Sequence, residues 1–239
     1  MNGENITVSD LEIMAQAHNY RGWMFRQIAP FIGQRILEIG AGIGNFTNLM
    51  LDRELVMAAD VYPPCVDYLQ RRFADQPHVL PKRLNVADPV TMALARYDLD
   101  TVVCLNVLEH VEDDIGALSH MFAVLRTGGC LVLLVPAFQF LFGTVDSSLG
   151  HHRRYTKLLL VQKMRQTGFA IEKVFYMNII GIAGWFLNNR VFKRTEESAR
   201  QIALFDRLIA PVAERAEKIF QPPVGLSLIA IGRKTSSLS

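Results

Sequence analysis

Short, almost entirely apolar segments alternate with helical segments along most of this chain, and that alternation limits the fold more than any other feature. Five segments are typical of buried strands: RILEIG, ELVMAAD, HVLPKRLNV, LDTVVCLNV and CLVLLVP. Three segments between them favour helices: NFTNLMLDR, PPCVDYLQRRFAD and GALSHMFAVLRTGG, the last ended by its glycines. Strands that alternate with helices and have no polar face indicate a parallel sheet covered on both sides.

The 239 residues provide enough chain for one α/β domain with a full core. We predict a helical lid over residues 1–33, a ligand-binding core over 34–176, an insertion over 177–225 and a last strand over 226–234. About fifty residues are too many for an ordinary loop, so we interpret the insertion as a helical cap. A dimer interface and a helix on a membrane surface stay open as alternatives. The run NIIGIAGWFLNNRVF is too short and too polar for a transmembrane span.

Composition narrows the choice of partner. A formal net charge of +2 does not supply the dense basic surface that binding to a phosphate backbone needs, so we expect no nucleic-acid partner. The first residues, MNGENITVSDLE, lack the features of a secretory signal, and we expect a cytoplasmic protein. The cysteines Cys65, Cys104 and Cys130 have neither disulfide nor metal-ligand spacing, which indicates buried free thiols.

A glycine-rich turn follows the first predicted strand, with Glu38 two residues before its first glycine. The turn reads G-x-G-x-G, and Asn45 stands where a dinucleotide-binding loop needs its third glycine. A carboxylate at Glu38 favours a cationic ligand over an anionic one. Asp60 ends the second strand, where a carboxylate can accept hydrogen bonds from both hydroxyls of a ribose. The pattern therefore predicts a positively charged nucleoside as ligand.

Three motifs in succession, LEIGAGIGNFT, AAD and LNVLEHVEDD, resemble those of the class I S-adenosylmethionine-dependent methyltransferases over roughly residues 35 to 136. This resemblance implies a Rossmann-like, doubly wound α/β fold with a mostly parallel seven-stranded sheet and an antiparallel last strand. It implies S-adenosylmethionine as the cofactor and S-adenosylhomocysteine as its product. The segments GHHRRYTK, NYRGW and GLSLIAIGRK resemble a bacterial subgroup of types 11 and 12, which implies a small-molecule, glycan or lipid-linked acceptor.

The same resemblance assigns cofactor contacts residue by residue. Gly40, Ala41 and Gly42 would line the methionine part of the cofactor, and Asp60 would bind the ribose. The remaining contacts would come from Val61, Asn85 and Val86 at the adenine, Asn106 and Val107 at the sulfonium, and Tyr20 in the lid. Many members carry an acidic residue at the position of Asn85, so either its amide or Asp88 would make that contact.

The polar segment after the fifth strand is expected to bind the acceptor. We predict His151 as general base and Asp146 as the residue that fixes its tautomer, with Arg154 as an anion anchor and His152, Arg153 and Tyr155 as further substrate contacts. The alternative is that the arginines pair with acidic groups and the histidines cap a helix near Thr156. No metal is expected, because adjacent histidines point in different directions and no neighbouring carboxylate has ligand spacing.

These patterns predict an enzyme that moves a methyl group from S-adenosylmethionine to its acceptor by in-line displacement. Two other functions keep the cofactor site. One is an S-adenosylmethionine-using enzyme that performs cyclisation or aminopropyl transfer, and the other is a non-catalytic binding subunit. A nicotinamide oxidoreductase ranks last, given Glu38 and Asn45. Homodimerisation is open, and the methylated atom is not specified by these motifs.

Overall fold

Seven strands form one mixed sheet in a computed structural model that describes residues 11–12, 15–186 and 199–235. The strands are β1 Arg35–Ile39, β2 Leu55–Asp60, β3 Val79–Arg83, β4 Leu99–Leu105, β5 Leu125–Pro136, β6 Phe169–Met177 and β7 Ser227–Lys234. Their order is β3-β2-β1-β4-β5-β7-β6, and β7 is antiparallel to both of its neighbours. The predicted Rossmann-like, mostly parallel sheet with an antiparallel last strand is confirmed. Strand order reverses between β1 and β4, where ligands bind in folds of this type.

Helices cover both faces of the sheet. They are α1 His18–Ile28, α2 Pro63–Arg72, α3 Asp114–Val124, α4 Thr144–Ser148, α5 Lys157–Gln166, α6 Ile179–Phe186, α7 Ala199–Leu204 and α8 Ala210–Ile219. A π-helical turn, Phe205–Ile209, joins α7 to α8. Shorter 3-10 segments are Ala29–Phe31, Thr47–Leu49, Pro89–Tyr97, Leu108–His110 and Gln139–Leu141. Local sequence sets the starts: Pro63 has the fixed φ of a first helical turn, and the Thr156 side chain caps α5.

The core lies on both faces, as strands without a polar face require. Successive side chains of a strand point to opposite sides of a sheet. Ile36 therefore belongs to the apolar cluster that contains Trp23 of α1, whereas Leu37 belongs to the cluster that contains Leu118 of α3. All four side chains are fully buried, and Cys65, Cys104 and Cys130 are buried free thiols, as predicted.

Two local predictions were wrong. NFTNLMLDR forms only the 3-10 turn Thr47–Leu49, because the Thr47 hydroxyl turns inward to bind Glu38 and the backbone makes bonds from residue i+3 to residue i. The glycines of RTGG do not end a helix. Strand β5 begins before them at Leu125, and its register on β4 shifts where the chain passes Gly128 at φ 80°.

The N-terminal helix and the insertion contact each other. Asp206 of the π-helical turn accepts hydrogen bonds from the backbone N–H groups of Tyr20, at 2.8 Å, and Asn19, at 3.3 Å. Arg26 donates twice to Glu214 of α8, both times at 2.7 Å. Residues 1–10, 13 and 14 of the predicted lid and 187–198 of the predicted insertion lie outside the described residues. The roles of lid and cap stay predictions.

Among the described residues, no helix has both the length and the apolar character needed to cross a bilayer.

A buried carboxylate joins α3, α5 and the segment between α4 and α5. Asp114 accepts hydrogen bonds from Nζ of Lys163 at 2.7 Å and from the Tyr155 hydroxyl at 2.9 Å, and Nη1 of Arg153 lies 2.9 Å away. Burial alone would raise the pKa of Asp114, but these hydrogen bonds outweigh it and lower the pKa. Tyr155 itself is fully buried.

We expect Tyr155→Phe to lower the free energy of unfolding by about 1–2 kcal/mol, because it removes a buried hydrogen bond to a charged group. Urea denaturation of both proteins measures the difference. Tyr176→Phe is the control, since the Tyr176 hydroxyl only accepts a 3.3 Å bond from the exposed backbone at Lys157. An equal loss in the two variants would contradict a special role for the Asp114 network.

Candidate functional site

The glycine-rich turn is anchored at the carboxyl end of β1. The N–H groups of Gly40 and Ala41 both donate to the Ala59 carbonyl on β2, at 2.8 and 2.9 Å. Gly40 has φ 75°, and a Cβ there would overlap Cγ2 of Val107, just after β4. Only glycine satisfies both conditions. The turn therefore presents bare backbone at the point where strand order reverses.

Glu38 lies beneath this turn, 4% exposed. The Thr47 hydroxyl donates to its Oε2 at 2.5 Å. Burial raises the pKa of Glu38 to about 7, and the nearby Asp60 carboxylate adds to the rise, while the Thr47 hydrogen bond opposes it. A positive charge above the turn would favour the ionised form of Glu38.

Asp60 is held in place by backbone N–H groups. Its Oδ2 accepts from Gly42 at 2.8 Å and its Oδ1 from Tyr62 at 2.9 Å. Burial raises the pKa of this carboxyl, while those bonds oppose the rise. Each oxygen keeps acceptor capacity for a ribose hydroxyl. The neighbouring Val61, 49% exposed, offers an uncovered apolar surface beside it, of the kind an adenine ring covers.

The predicted adenine contacts after β3 form a local turn. Oδ1 of Asn85 accepts from the Ala87 N–H at 3.0 Å, and its Nδ2 lies 3.5 Å from Oδ1 of Asp88. Val86 is buried, and its carbonyl lies 2.8 Å from Nδ1 of His120. The two candidates Asn85 and Asp88 thus touch each other, and the choice between them stays open.

The residues predicted to meet the sulfonium and to form the lid have separate surroundings. Asn106 has φ 53°, and its N–H donates to the Leu134 carbonyl of β5 at 2.8 Å. Tyr20 packs edge-on against Trp23, with ring centroids 5.9 Å apart, and its hydroxyl accepts from Nδ2 of Asn178 at 3.4 Å. Leu11, which was not predicted, lies against Gly42. The N-terminal segment therefore reaches the glycine turn.

In the segment predicted to bind the acceptor, residues 146–155, Asp146 of α4 is the central residue. Its carboxylate is fully buried, and Oδ1 lies 2.8 Å from both Nδ1 of His151 and Nε of Arg154. The Gly143 N–H donates to Oδ2 at 2.9 Å. Burial would raise the pKa of Asp146, but the bonds from His151 and Arg154 lower it. The predicted contact between Asp146 and His151 is present in the geometry.

The side chains of Arg153, Arg154 and Tyr155 are bound to acidic groups within the protein, whereas the predicted substrate contacts would need them free to meet a ligand. The Arg154 side chain is 1% exposed, bound to Asp146 and placed over the Trp185 ring at 4.5 Å, so its charge is already compensated inside the protein. Arg153 and Tyr155 both bind Asp114. This matches the alternative in which the arginines pair with acidic groups, although those groups are buried. Among the predicted acceptor contacts, His152 is the exposed one.

A cluster that the sequence reasoning missed lies beside His151. Glu109 and His110 form part of the 3-10 turn after Val107, and the His152 N–H donates to the Glu109 carbonyl at 2.8 Å. The ring centroids of His110 and His151 are 4.6 Å apart. Burial raises the pKa of Glu109 to about 8 and lowers that of His110 to about 4, with His151 and His152 adding to the second shift. In the sequence, only the adjacent Glu109 and His110 of NVLEH could have indicated this cluster.

Comparison with known proteins supports the resemblance. Residues 37–131 match the family described as a methyltransferase domain. A tRNA U34 carboxymethyltransferase of Syntrophotalea carbinolica is 31% identical over 137 residues, 55% of this chain and 40% of that protein. A Mycolicibacterium smegmatis protein, named as an S-adenosylmethionine-dependent methyltransferase, is 28% identical over 143 residues, 59% of this chain and 53% of that protein. The chain thus spans about half or less of these relatives.

A solved structure has the same fold over nearly the full length. It is the complex between the Haloferax volcanii Trm112 methyltransferase activator and a methyltransferase, with TM-score 0.64, 12% identity and 96% of each chain covered. Over residues 37–131 the chain thus matches a methyltransferase domain, and its fold is that of the class I S-adenosylmethionine-dependent methyltransferases, which use S-adenosylmethionine as cofactor. The residues fit that cofactor: the glycine turn presents bare backbone, Asp60 keeps acceptor capacity for a ribose, and the buried Glu38 carboxyl group can supply the negative charge that a sulfonium or ammonium group favours.

We expect Gly40→Ala to weaken binding of S-adenosylhomocysteine at least about tenfold, since the added Cβ displaces Val107 and the turn. Gly128→Ala is the matched control, because Gly128 has φ 80° but open space around its Cα. Both variants lose about 1–2 kcal/mol of unfolding free energy from the left-handed conformation. Calorimetry with S-adenosylhomocysteine separates them, and equal affinities would contradict the proposed contact.

Glu38 should make stability depend on pH in one direction. Its folded pKa of about 7 lies above the ordinary 4.5, so between these values the folded state binds more protons than the unfolded state. The free energy of unfolding should fall by at most about 3 kcal/mol as pH rises through this window, and change little from this cause outside it.

Glu38→Gln removes this contribution, so the difference between wild type and variant isolates it. Urea denaturation of the ligand-free proteins at several pH values between 5 and 7 provides the measurement. The exposed Glu112→Gln serves as the control. Parallel pH profiles for wild type and Glu38→Gln would rule out the raised pKa.

Proposed function

We propose that this chain transfers the methyl group of S-adenosylmethionine to an acceptor that enters beside residues 146–155. The proposal depends on one observation: Val107 occupies the space above Gly40, and the turn that follows it brings Glu109 and His110 next to His151. The short stretch from Val107 to His110 therefore contacts the glycine turn at one end and His151 of the acceptor segment at the other. The cofactor supplies a methyl group that is already activated on a sulfonium.

In this mechanism the protein binds the cofactor and the acceptor, orients them for the displacement and excludes water from the site. Gly40, Ala41 and Gly42 offer backbone to the methionine part, and Asp60 accepts hydrogen bonds from the ribose. Tyr20 lies on the lid side, where an aromatic ring can also attract the sulfonium by about 0.5–2 kcal/mol. Alignment of the two reactants supplies most of the acceleration, because the reaction is a single displacement.

His151 is the residue proposed to take the acceptor's proton. A carboxylate only accepts hydrogen bonds, so contact with Asp146 places the proton of a neutral His151 on Nδ1 and leaves Nε2 as the basic nitrogen. Asp146 therefore acts as a positioning residue. The buried Arg154 in turn holds Asp146 and, in this position, is part of the framework and not an anchor for the acceptor.

The net charge of the chain and the exposed apolar side chains of the insertion support one class of acceptor. A net charge of +2 favours a small, glycan or lipid-like acceptor over nucleic acid. Exposed apolar side chains on the insertion, including Leu208, Val212 and Ile219, support a role in covering such an acceptor. One relative is named for its action on tRNA, and one similar structure contains the Trm112 activator. An RNA substrate or an activating protein is therefore the second candidate to test.

Two measurements test the proposal. Calorimetry should detect S-adenosylhomocysteine bound to the wild type, and at least about tenfold more weakly to Asp60→Asn, which has lost its charge. Incubation with S-adenosylmethionine and candidate acceptors, tRNA among them, should give S-adenosylhomocysteine and a product heavier by one methylene. His151→Gln should reduce kcat about 100- to 10,000-fold without changing cofactor affinity.

His78→Gln is the control histidine variant, since His78 precedes β3 at the opposite end of the strands. A folded protein that gives no heat with S-adenosylhomocysteine would overturn the assignment. A product lacking the added methylene would redirect it to cyclisation or aminopropyl transfer.

A further inference from the structure

The side chain of Glu109 is a buried carboxyl group that differs from the buried acids around it. Its side chain is 0% exposed, and neither carboxylate oxygen has a hydrogen-bond partner in the described part of the chain. Burial of a carboxyl group without hydrogen-bond partners costs free energy, whether the group is protonated or ionised. Its neighbours Asp114 and Asp146 are each bound by at least two cationic or polar side chains. The contrast indicates that Glu109 serves a ligand.

Two imidazole rings share the space in front of Glu109. Ligand atoms of Glu109, His110 and His151 all lie within 4.8 Å of one another, close enough to share one metal ion. The rings of His110 and His151 pack edge to face, with an angle of 87° between their planes, beside the Glu109 carboxyl group. Three protein ligands that leave open positions are typical of catalytic metal sites.

Asp146 orients the His151 ring through a contact with the ring nitrogen Nδ1. Contact between its Oδ1 and Nδ1 of His151 turns Nε2 of that ring into the free, electron-donating nitrogen. In metal-binding histidines the N–H of the ring nitrogen that does not bind the metal almost always donates a hydrogen bond to a carboxylate, a backbone carbonyl or water. Asp146 is itself fixed by Arg154 and the Gly143 N–H, so the His151 ring cannot turn freely.

We propose that Glu109, His110 and His151 bind a divalent first-row transition-metal cation, with Asp146 as the positioning residue for His151. Two imidazoles and one carboxylate favour zinc, manganese, iron or cobalt over magnesium and calcium, which prefer ligand sets made of oxygen. The sequence pattern did not predict this site, because Glu109 and His151 are 42 positions apart in the chain. The expectation that no metal binds considered only carboxylates adjacent to the histidines.

The cation also points to a class of acceptor, a step that rests on the proposed methyl transfer. A hydroxyl group bound to the cation ionises more readily and releases its proton to solvent. The oxygen then forms a bond to the methyl carbon while the carbon–sulfur bond breaks, and its electron pair stays on sulfur. Nε2 of His151 would here bind the cation in place of a proton, so its roles as ligand and as base exclude each other.

Cobalt(II) is the probe for the test, because its visible absorption reports the ligand set. Tag-free full chain is stripped with chelator and titrated with Co²⁺, followed by absorption and calorimetry, with Zn²⁺ as competitor. We expect one ion per chain. Glu109→Gln should weaken Co²⁺ binding about 100-fold, yet leave the unfolding free energy of the metal-free protein unchanged or raised, because the lost carboxylate has no partner there. A merely structural role would not give this combination.

His152→Asn is the matched control, since it removes the exposed neighbouring histidine but no proposed ligand, and Co²⁺ affinity should stay the same. His110→Gln provides a second ligand variant if Glu109→Gln does not fold. No Co²⁺ or Zn²⁺ binding by the wild type, or equal affinity in wild type and both ligand variants, would overturn the site. So would a loss in His152→Asn as large as in Glu109→Gln.

S-adenosylhomocysteine binding is measured on the same metal-free samples. If it persists while Co²⁺ fails to bind, the metal site is rejected and the cofactor assignment remains. If the metal binds but S-adenosylhomocysteine does not, the methyltransferase proposal fails by itself. Full methyl transfer in the chelated protein would reject the cation's part in catalysis and restore His151 as the base.

Discussion

The carboxyl ends of β1 and β4 approach each other so closely that Val107 fills the space a side chain at Gly40 would need. This contact fixes two loops at once. On one side the backbone of the glycine turn is bare and anchored to β2 through Ala59. On the other side the chain turns immediately into Leu108–His110, which carries the groups facing the acceptor segment. The distance between the two halves of the site is therefore set by strand packing and not by flexible loops.

The acceptor segment is organised around two buried carboxylates with different partners. Asp114 binds Lys163, Arg153 and Tyr155, and so attaches the segment to α3 and α5. Asp146 binds Arg154 and His151, and so holds an imidazole at the edge of the site. Buried charges are stable only when they are paired and hydrogen-bonded. One carboxylate thus serves the framework, whereas the other places a side chain that can do chemistry.

The strands, their alternation with helices and the glycine turn could be predicted from sequence, because each depends on a local pattern of apolar or flexible residues. Patterns of this kind cannot report where a long charged side chain ends. Arg154 reads as an exposed anion ligand beside two histidines, but its guanidinium is buried against Asp146 and Trp185. Glu109 reads as part of a cofactor motif, and only the fold brings it to His151. The bulge around Gly128 likewise depends on pairing with β4.

Helix α1 and the insertion are attached to each other at two points. Asp206 holds the first turn of α1, and Glu214 holds Arg26 one helix-length further on. Both contacts would have to break before α1 could move without the insertion. If α1 is part of the lid and the insertion is the cap, as the sequence predicts, release of the spent nucleoside and opening of the acceptor entrance would occur together.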